Sequence, residues 1–178
     1  MRHEFPQSTM RRLGLLAAGV VLALAATIPS RVASEPQDWL IARGRGLVAY
    51  GSCNDCHTPG WRESDGTIPV SRWMTGSPIG FRGPWGTIYP TNVRLRFQVL
   101  SEDDWLRAVA TRGGHPPMKW TDLRALSVVD RRAIYRFIRS LGPAGVAAPA
   151  DVPPGREPAT LYFDVFPHGS TAPATPSP

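Results

Sequence analysis

Apolar residues along this chain fall into three stretches with helical spacing, separated by segments dense in glycine and proline. From Asp38, a residue suited to capping a helix N-terminus, Leu40, Gly44, Leu47, Val48 and Gly51 recur at i, i+4, i+7, i+8 and i+11, which is one helix face. That helix runs straight into Cys53. Each glycine weakens it by roughly 1 kcal/mol relative to alanine, yet Gly44, on the apolar stripe, leaves room for a second helix to come close. Ser101, followed by Glu102, Asp103 and Asp104, opens a second helix whose acidic first turn suits the positive end of the macrodipole. Trp105, Leu106, Val109 and Ala110 form its inner face, and Gly113-Gly114 ends it. Ser127 with Asp130 starts a third in capping-box fashion, Asp standing in for the usual Glu. Ile134, Phe137, Ile138 and Leu141 make its apolar face, and Gly142-Pro143 stops it. A shorter helical turn is expected at Asp122 to Leu126. Residues 58–98 carry too many Gly and Pro for a helix and show only short β-like runs, so they read as an ordered loop system.

The two ends differ from this middle. Arg2, Arg11 and Arg12 precede an uncharged run from Leu13 to Ile28, shorter than the roughly 20 residues needed to span a bilayer. Residues 1–34 are therefore expected to be a secretory signal peptide with a small-residue exit near Val32-Ala33-Ser34, or else an N-terminal anchor that stays attached. Either way the folded part is expected in the periplasm, with membrane association open through the N-terminus. Residues 35–145 then make one domain of ordinary size. Residues 146–178 form a Pro-rich extension, with disorder expected from His168 to Pro178. Within it, Leu161-Tyr162-Phe163 and Val165-Phe166 are an apolar patch expected to fold back on the domain, the alternative being a docking arm. The net charge of +6 drops to about +3 once Arg2, Arg11, Arg12 and Arg31 leave with Glu4. The remaining arginines are scattered, which gives no support to a nucleic-acid partner.

Both cysteines of the chain lie in Cys53-Asn54-Asp55-Cys56-His57. C-x-x-C-H is the attachment signature of c-type haem. Two thiols on one helical turn can form thioethers with the two vinyl groups of a porphyrin, and the adjacent His57 becomes the proximal iron ligand. A structural zinc site needs four N or S ligands, and no second C-x-x-C or H-x3-5-H pair exists. A redox dithiol is expected in a βαβ setting, which is missing around residues 53–57. Export strengthens the haem reading, since an oxidising compartment pairs thiols unless something else consumes them. For the sixth position on iron the chain offers Met74, Met118, His115 and His168, or an open site. Pro116-Pro117 before Met118 makes the approach extended, and Trp120 can cover the ligand.

Taken together, the segments Arg43 to Pro59, Gly83 to Asn92 (G-P-W-G-T-I-Y-P-T-N), Pro116 to Trp120 (P-P-M-K-W) and Tyr135 to Leu141 resemble the class I c-type cytochromes. Within them the chain is similar to the monohaem domains that accompany periplasmic alcohol and aldehyde dehydrogenases. The resemblance implies an all-α fold, a small helical domain with Gly/Pro-rich loops around one covalent haem c, whose first and last helices cross. It implies His57 and Met118 as the iron ligands, Pro84 as the carbonyl acceptor for the proximal imidazole, and Tyr89 and Asn92 beside the propionates, with Arg82 and Trp85 as nearby donors. Three positions depart from it. Gly46 stands where relatives carry an aromatic residue, so that the crossing would be filled by Tyr135 or Phe137. Lys119 replaces a proline, and Val93-Arg94-Leu95-Arg96 replaces an acidic turn. Arg82, Arg94 and Arg96 are either solvated surface or a basic rim for an acidic partner. His/Met ligation fills both axial sites and raises the potential. The expected function is electron transfer, not catalysis, from a periplasmic dehydrogenase to a terminal oxidase or another cytochrome. The alternative is a haem sensor or gas-binding protein with a weak or absent sixth ligand.

Overall fold

A computed structural model describes residues 37–166 of the protein. The expected leader over residues 1–34 and the expected disorder from His168 onward fall outside them. The described elements run α1 (Gln37–Tyr50), α2 (Asn54–His57), a 3-10 turn (Val70–Arg72), β1 (Gly80–Gly83), β2 (Gly86–Ile88), α3 (Val93–Val99), α4 (Glu102–Thr111), α5 (Trp120–Ala125), α6 (Val128–Ser140) and β3 (Tyr162–Asp164). Among the described residues, no helix is long and apolar enough to cross a membrane.

Helices α1 and α6 make the principal helix–helix contact. Gly44 permits it: a Cβ there would overlap the Ala133 carbonyl oxygen and sit 2.7 Å from the Phe137 Cβ. Gly46 has no heavy atom within 4 Å of where its Cβ would be, so a side chain there would enter open space, and Phe137 packs on the crossing at Gly44. Arg43 on α1 donates to the Asp130 carboxylate on α6. The same Asp130 is fixed by Ser127, whose Oγ accepts its backbone N–H at 3.0 Å and caps the helix.

Aromatic rings join the remaining helices to this pair. Phe97 of α3 lies 4.8 Å from Tyr135 and 5.1 Å from Trp105, centroid to centroid. The polar ends of those rings are satisfied: Tyr135 donates to the Leu100 carbonyl at 2.8 Å and Trp105 Nε1 to the Arg131 carbonyl at 3.2 Å. Trp73, from the loop after α2, contacts Phe137 at 6.1 Å and Trp61 at 5.2 Å.

The expectation of an all-α fold is overturned by a three-stranded mixed sheet of order β2-β1-β3, antiparallel between β1 and β2 and parallel between β1 and β3. Phe81 faces Phe163 in register, so the apolar patch of the C-terminal extension supplies the third strand. On the other edge, Thr87 and Val152 exchange two backbone hydrogen bonds of 2.8 Å. Gly86 (φ +99°) allows this, because a Cβ there would overlap the Val152 carbonyl oxygen. The loop backbone needed hydrogen-bond partners, and the extension provides them.

Helix α3 was also unexpected. Val93 to Val99 alternates apolar and polar residues, the period of a strand. Asn92 decides otherwise by accepting the Leu95 N–H at 3.0 Å as a helix cap, and the buried residues become Arg94 and Phe97, one helical turn apart.

Two stability outcomes follow. Gly44→Ala is expected to destabilise by about 1–3 kcal/mol through overpacking, whereas Gly46→Ala is expected to stabilise by up to about 1 kcal/mol through helix propensity alone; urea unfolding of both variants checks the contrast. Asp130 has its pKa lowered, first by the hydrogen bond from Arg43. The associated stability is complete above the ordinary carboxylate pKa of about 3.9 and is lost as pH falls through the lower folded value. Asp130→Asn is expected to flatten the melting temperature against pH below about pH 4, measured by thermal unfolding across that range.

Candidate functional site

Helix α1 ends at Tyr50, and two residues later the chain turns into Cys53, with α2 carrying Cys56 and His57. Four backbone and side-chain bonds hold this turn in place. Thr58 Oγ1 donates to Asn54 Oδ1 at 2.7 Å and accepts the Met74 N–H at 2.9 Å. The Gly76 N–H reaches the His57 carbonyl at 2.9 Å, and the Thr58 N–H reaches that of Asn54 at 3.0 Å. Asn54 and Thr58 are buried, while Cys53, Cys56 and His57 are half-buried. The framework is thus inside and the reactive atoms are at the edge.

His57 Nδ1 lies 2.8 Å from the Thr91 carbonyl oxygen. A carbonyl only accepts, so Nδ1 carries the proton and Nε2 keeps its lone pair for a metal. Burial pulls the imidazole pKa down against the opposing effect of that bond, a shift toward the neutral form that a metal ligand would need. The acceptor role expected of Pro84 therefore belongs to Thr91. Pro84 is exposed at the turn between β1 and β2. Such an acceptor orients the ring and raises its basicity.

Both thiols are free of any disulfide. Burial pushes Cys53 up to about 11 and raises Cys56 as well. Catalytic redox dithiols have lowered thiol pKa values, so the environment weighs against that reading. Among the described residues, no three His, Cys, Asp or Glu side chains converge to hold a metal ion, which leaves structural zinc without its further ligands.

Of the sixth-position candidates, Met74 is 3% exposed and packed in the core. His168 lies outside the described residues. Met118 stands on the irregular, exposed stretch between α4 and α5 and is itself 38% exposed. His115, on the same stretch, stacks on Trp85 with centroids 4.7 Å apart and planes 8° from parallel.

The expected propionate neighbours are occupied elsewhere. Asn92 caps α3 with Oδ1 and donates Nδ2 to the Ala144 and Val146 carbonyls at 2.8 and 3.0 Å. Tyr89 pairs its hydroxyl with Thr160 at 2.7 Å and its N–H with Asp151 at 3.0 Å. Arg82 bonds Glu157 and Tyr162, each at 2.7 Å. Arg94 is buried and donates to the Ser71 carbonyl at 2.6 Å, to Gly142 at 2.7 Å and to Leu141. It caps the carbonyls at the end of α6, where a cation is favoured. Two of the three rim arginines thus hold the fold together, leaving Arg96 exposed.

These features fit a covalently attached haem. Cys53 and Cys56 would carry the thioethers, His57 Nε2 would bind iron, and Met118 would be the candidate for the sixth position. Trp85 adds a buried Nε1–H with no acceptor among the described residues, a donor that an anionic ligand group would satisfy.

No family profile matches the chain, and no solved structure matches it significantly. It is similar to one of the subunits of nicotinate dehydrogenase from Pseudomonas putida, 26% identical over 123 residues, which cover 63% of this chain and 9% of that protein. The chain thus spans about a tenth of that relative's length.

Thr58→Val strands the Met74 N–H and the Asn54 carboxamide oxygen inside the protein. It is expected to cost about 1–3 kcal/mol per unsatisfied group, with Thr58→Ser recovering most of the loss in denaturant unfolding.

Proposed function

We propose that the chain is a periplasmic monohaem c-type cytochrome carrying single electrons from a dehydrogenase towards the respiratory chain. The observation that carries this reading is the Cys53–His57 turn, in which two uncrosslinked thiols precede an imidazole whose Nδ1 is committed to the Thr91 carbonyl. When bound, the haem supplies a one-electron ferric/ferrous couple whose potential His/Met ligation raises. The chain fixes the proximal ring through Thr91, ties the attachment turn to the Met74–Gly76 loop, and supplies Met118 from a segment of its own. Similarity to part of a dehydrogenase supports a dehydrogenase as the electron donor, with a terminal oxidase or another cytochrome as acceptor. The basic and apolar N-terminus supports export, and allows retention at the membrane.

A second reading, a gas-binding or sensing haem, draws on the exposure of Met118, which no core packing holds in place. Protein matured in a host competent for c-type haem attachment decides between them. The expected result is a mass increase of one haem per chain, lost together with covalent attachment in Cys53→Ala/Cys56→Ala. The ferric protein is expected to show the weak far-red band of a thioether ligand. Met118→Ala is expected to lose that band and to bind carbon monoxide rapidly on reduction. Wild-type protein with no added macrocycle excludes both readings, and wild type that binds carbon monoxide as fast as Met118→Ala selects the second.

A further inference from the structure

Two side chains on the exposed stretch between α4 and α5 can bind iron, His115 and Met118, and they are separated by three positions. Three residues span at most about 10 Å, so a modest slide of this stretch would exchange one for the other. Imidazole is a well-suited ligand for iron, while a thioether is a weak, soft one. A free contest at the sixth position therefore favours His115.

The His115 residue is exposed, but one face of its ring is held. It lies flat on Trp85, 4.7 Å between centroids and 8° from parallel. Trp85 comes from the turn between β1 and β2, a separate part of the fold, and is held there on two further sides. Its ring fills the space over Gly83, where a Cβ would lie 2.6 Å from the indole. Phe166 of the C-terminal extension meets it edge-on at 5.8 Å and 66°. Its Nε1 has no hydrogen-bond partner among the described residues, so ring contacts alone set its place. On the far side of the stretch, Trp120 packs against Gly114 and takes the Arg112 guanidinium over its face at 5.2 Å. Met118, between these two tethers in the chain, is exposed.

We propose that Trp85 is a positioning residue that sequesters His115 and thereby leaves the sixth position to Met118. This inference rests on the haem reading above. The indole does not touch the iron; it decides which donor can. Removing its flat face frees the imidazole, which then displaces the thioether and lowers the midpoint potential.

The test compares haem-loaded wild type with Trp85→Ala, Trp85→Leu, Trp85→Phe and the double variant Trp85→Ala/His115→Ala, using far-red absorption, electron paramagnetic resonance and redox titration. Trp85→Ala is expected to lose the thioether band, gain a bis-imidazole low-spin signal and titrate at a lower potential. Trp85→Leu keeps the bulk without the aromatic face and is expected to do the same, which covers the case in which the alanine variant does not fold. Trp85→Phe is expected to retain the thioether signature, and the double variant to regain it. A wild type with the thioether band whose Trp85→Ala or Trp85→Leu variant keeps band and potential unchanged overturns the inference and leaves the haem reading standing. Loss of the band that His115→Ala does not restore overturns it equally. Absence of haem from wild type is a failure of the underlying reading instead.

Discussion

Backbone contact between α1 and α6 at Gly44 is the constraint on which the remaining geometry depends. With Gly44 against the Ala133 carbonyl, the helices approach closely enough for Phe137 to cover the crossing and for Arg43 to reach Asp130. Because α1 runs into Cys53 within three residues of its end, that contact also bears on where the Cys53–His57 turn sits. The turn is then fixed by Thr58 and the Met74–Gly76 loop, and the His57 ring by the Thr91 carbonyl. The thiols and the imidazole are therefore oriented by the fold in advance of any chemistry they perform.

Charge is spent on the scaffold as much as on any partner. Arg94 gives its guanidinium to three carbonyls, two of them at the C-terminal end of α6, with no ion-pair partner among the described residues. Burial lowers its pKa, but a guanidinium stays charged under such conditions, and the helix dipole offsets part of the desolvation. Arg82 is likewise committed to Glu157 and Tyr162 on the extension. A basic surface near the site is consequently smaller than a count of arginines implies.

Sequence patterning carried the three long helices because capping residues and apolar spacing agreed: Ser101 and Ser127 each accept the N–H three residues on. The close approach at Gly44 was legible for the same reason. Val93–Val99, expected almost wholly within the loop system of residues 58–98, is a helix because a cap and the burial of Arg94 and Phe97 outweigh a local period of two. The sheet was hidden because its strands are short and glycine-rich, and β1 finds its parallel partner far along the chain. At the site, the thiols and His57 were plain from their spacing. Thr91 was not, because it acts through a backbone carbonyl that any residue would offer. Asn92 and Tyr89, expected beside a ligand, make their side-chain hydrogen bonds to the cap of α3 and to residues C-terminal of α6, partners that their residue types alone do not reveal.

The C-terminal extension touches both edges of the hairpin, at Val152 beside Thr87 and at Tyr162–Asp164 beside β1. Arg82 and Tyr162, bonded across this junction, stand 80 positions apart. The helix crossing spans a similar length of chain, with Arg43 and Asp130 87 positions apart, so both closures carry a comparable loop entropy. The edges of the hairpin take their backbone partners from beyond the last helix, which makes the extension an integral part of the folded unit and not an appendage to it.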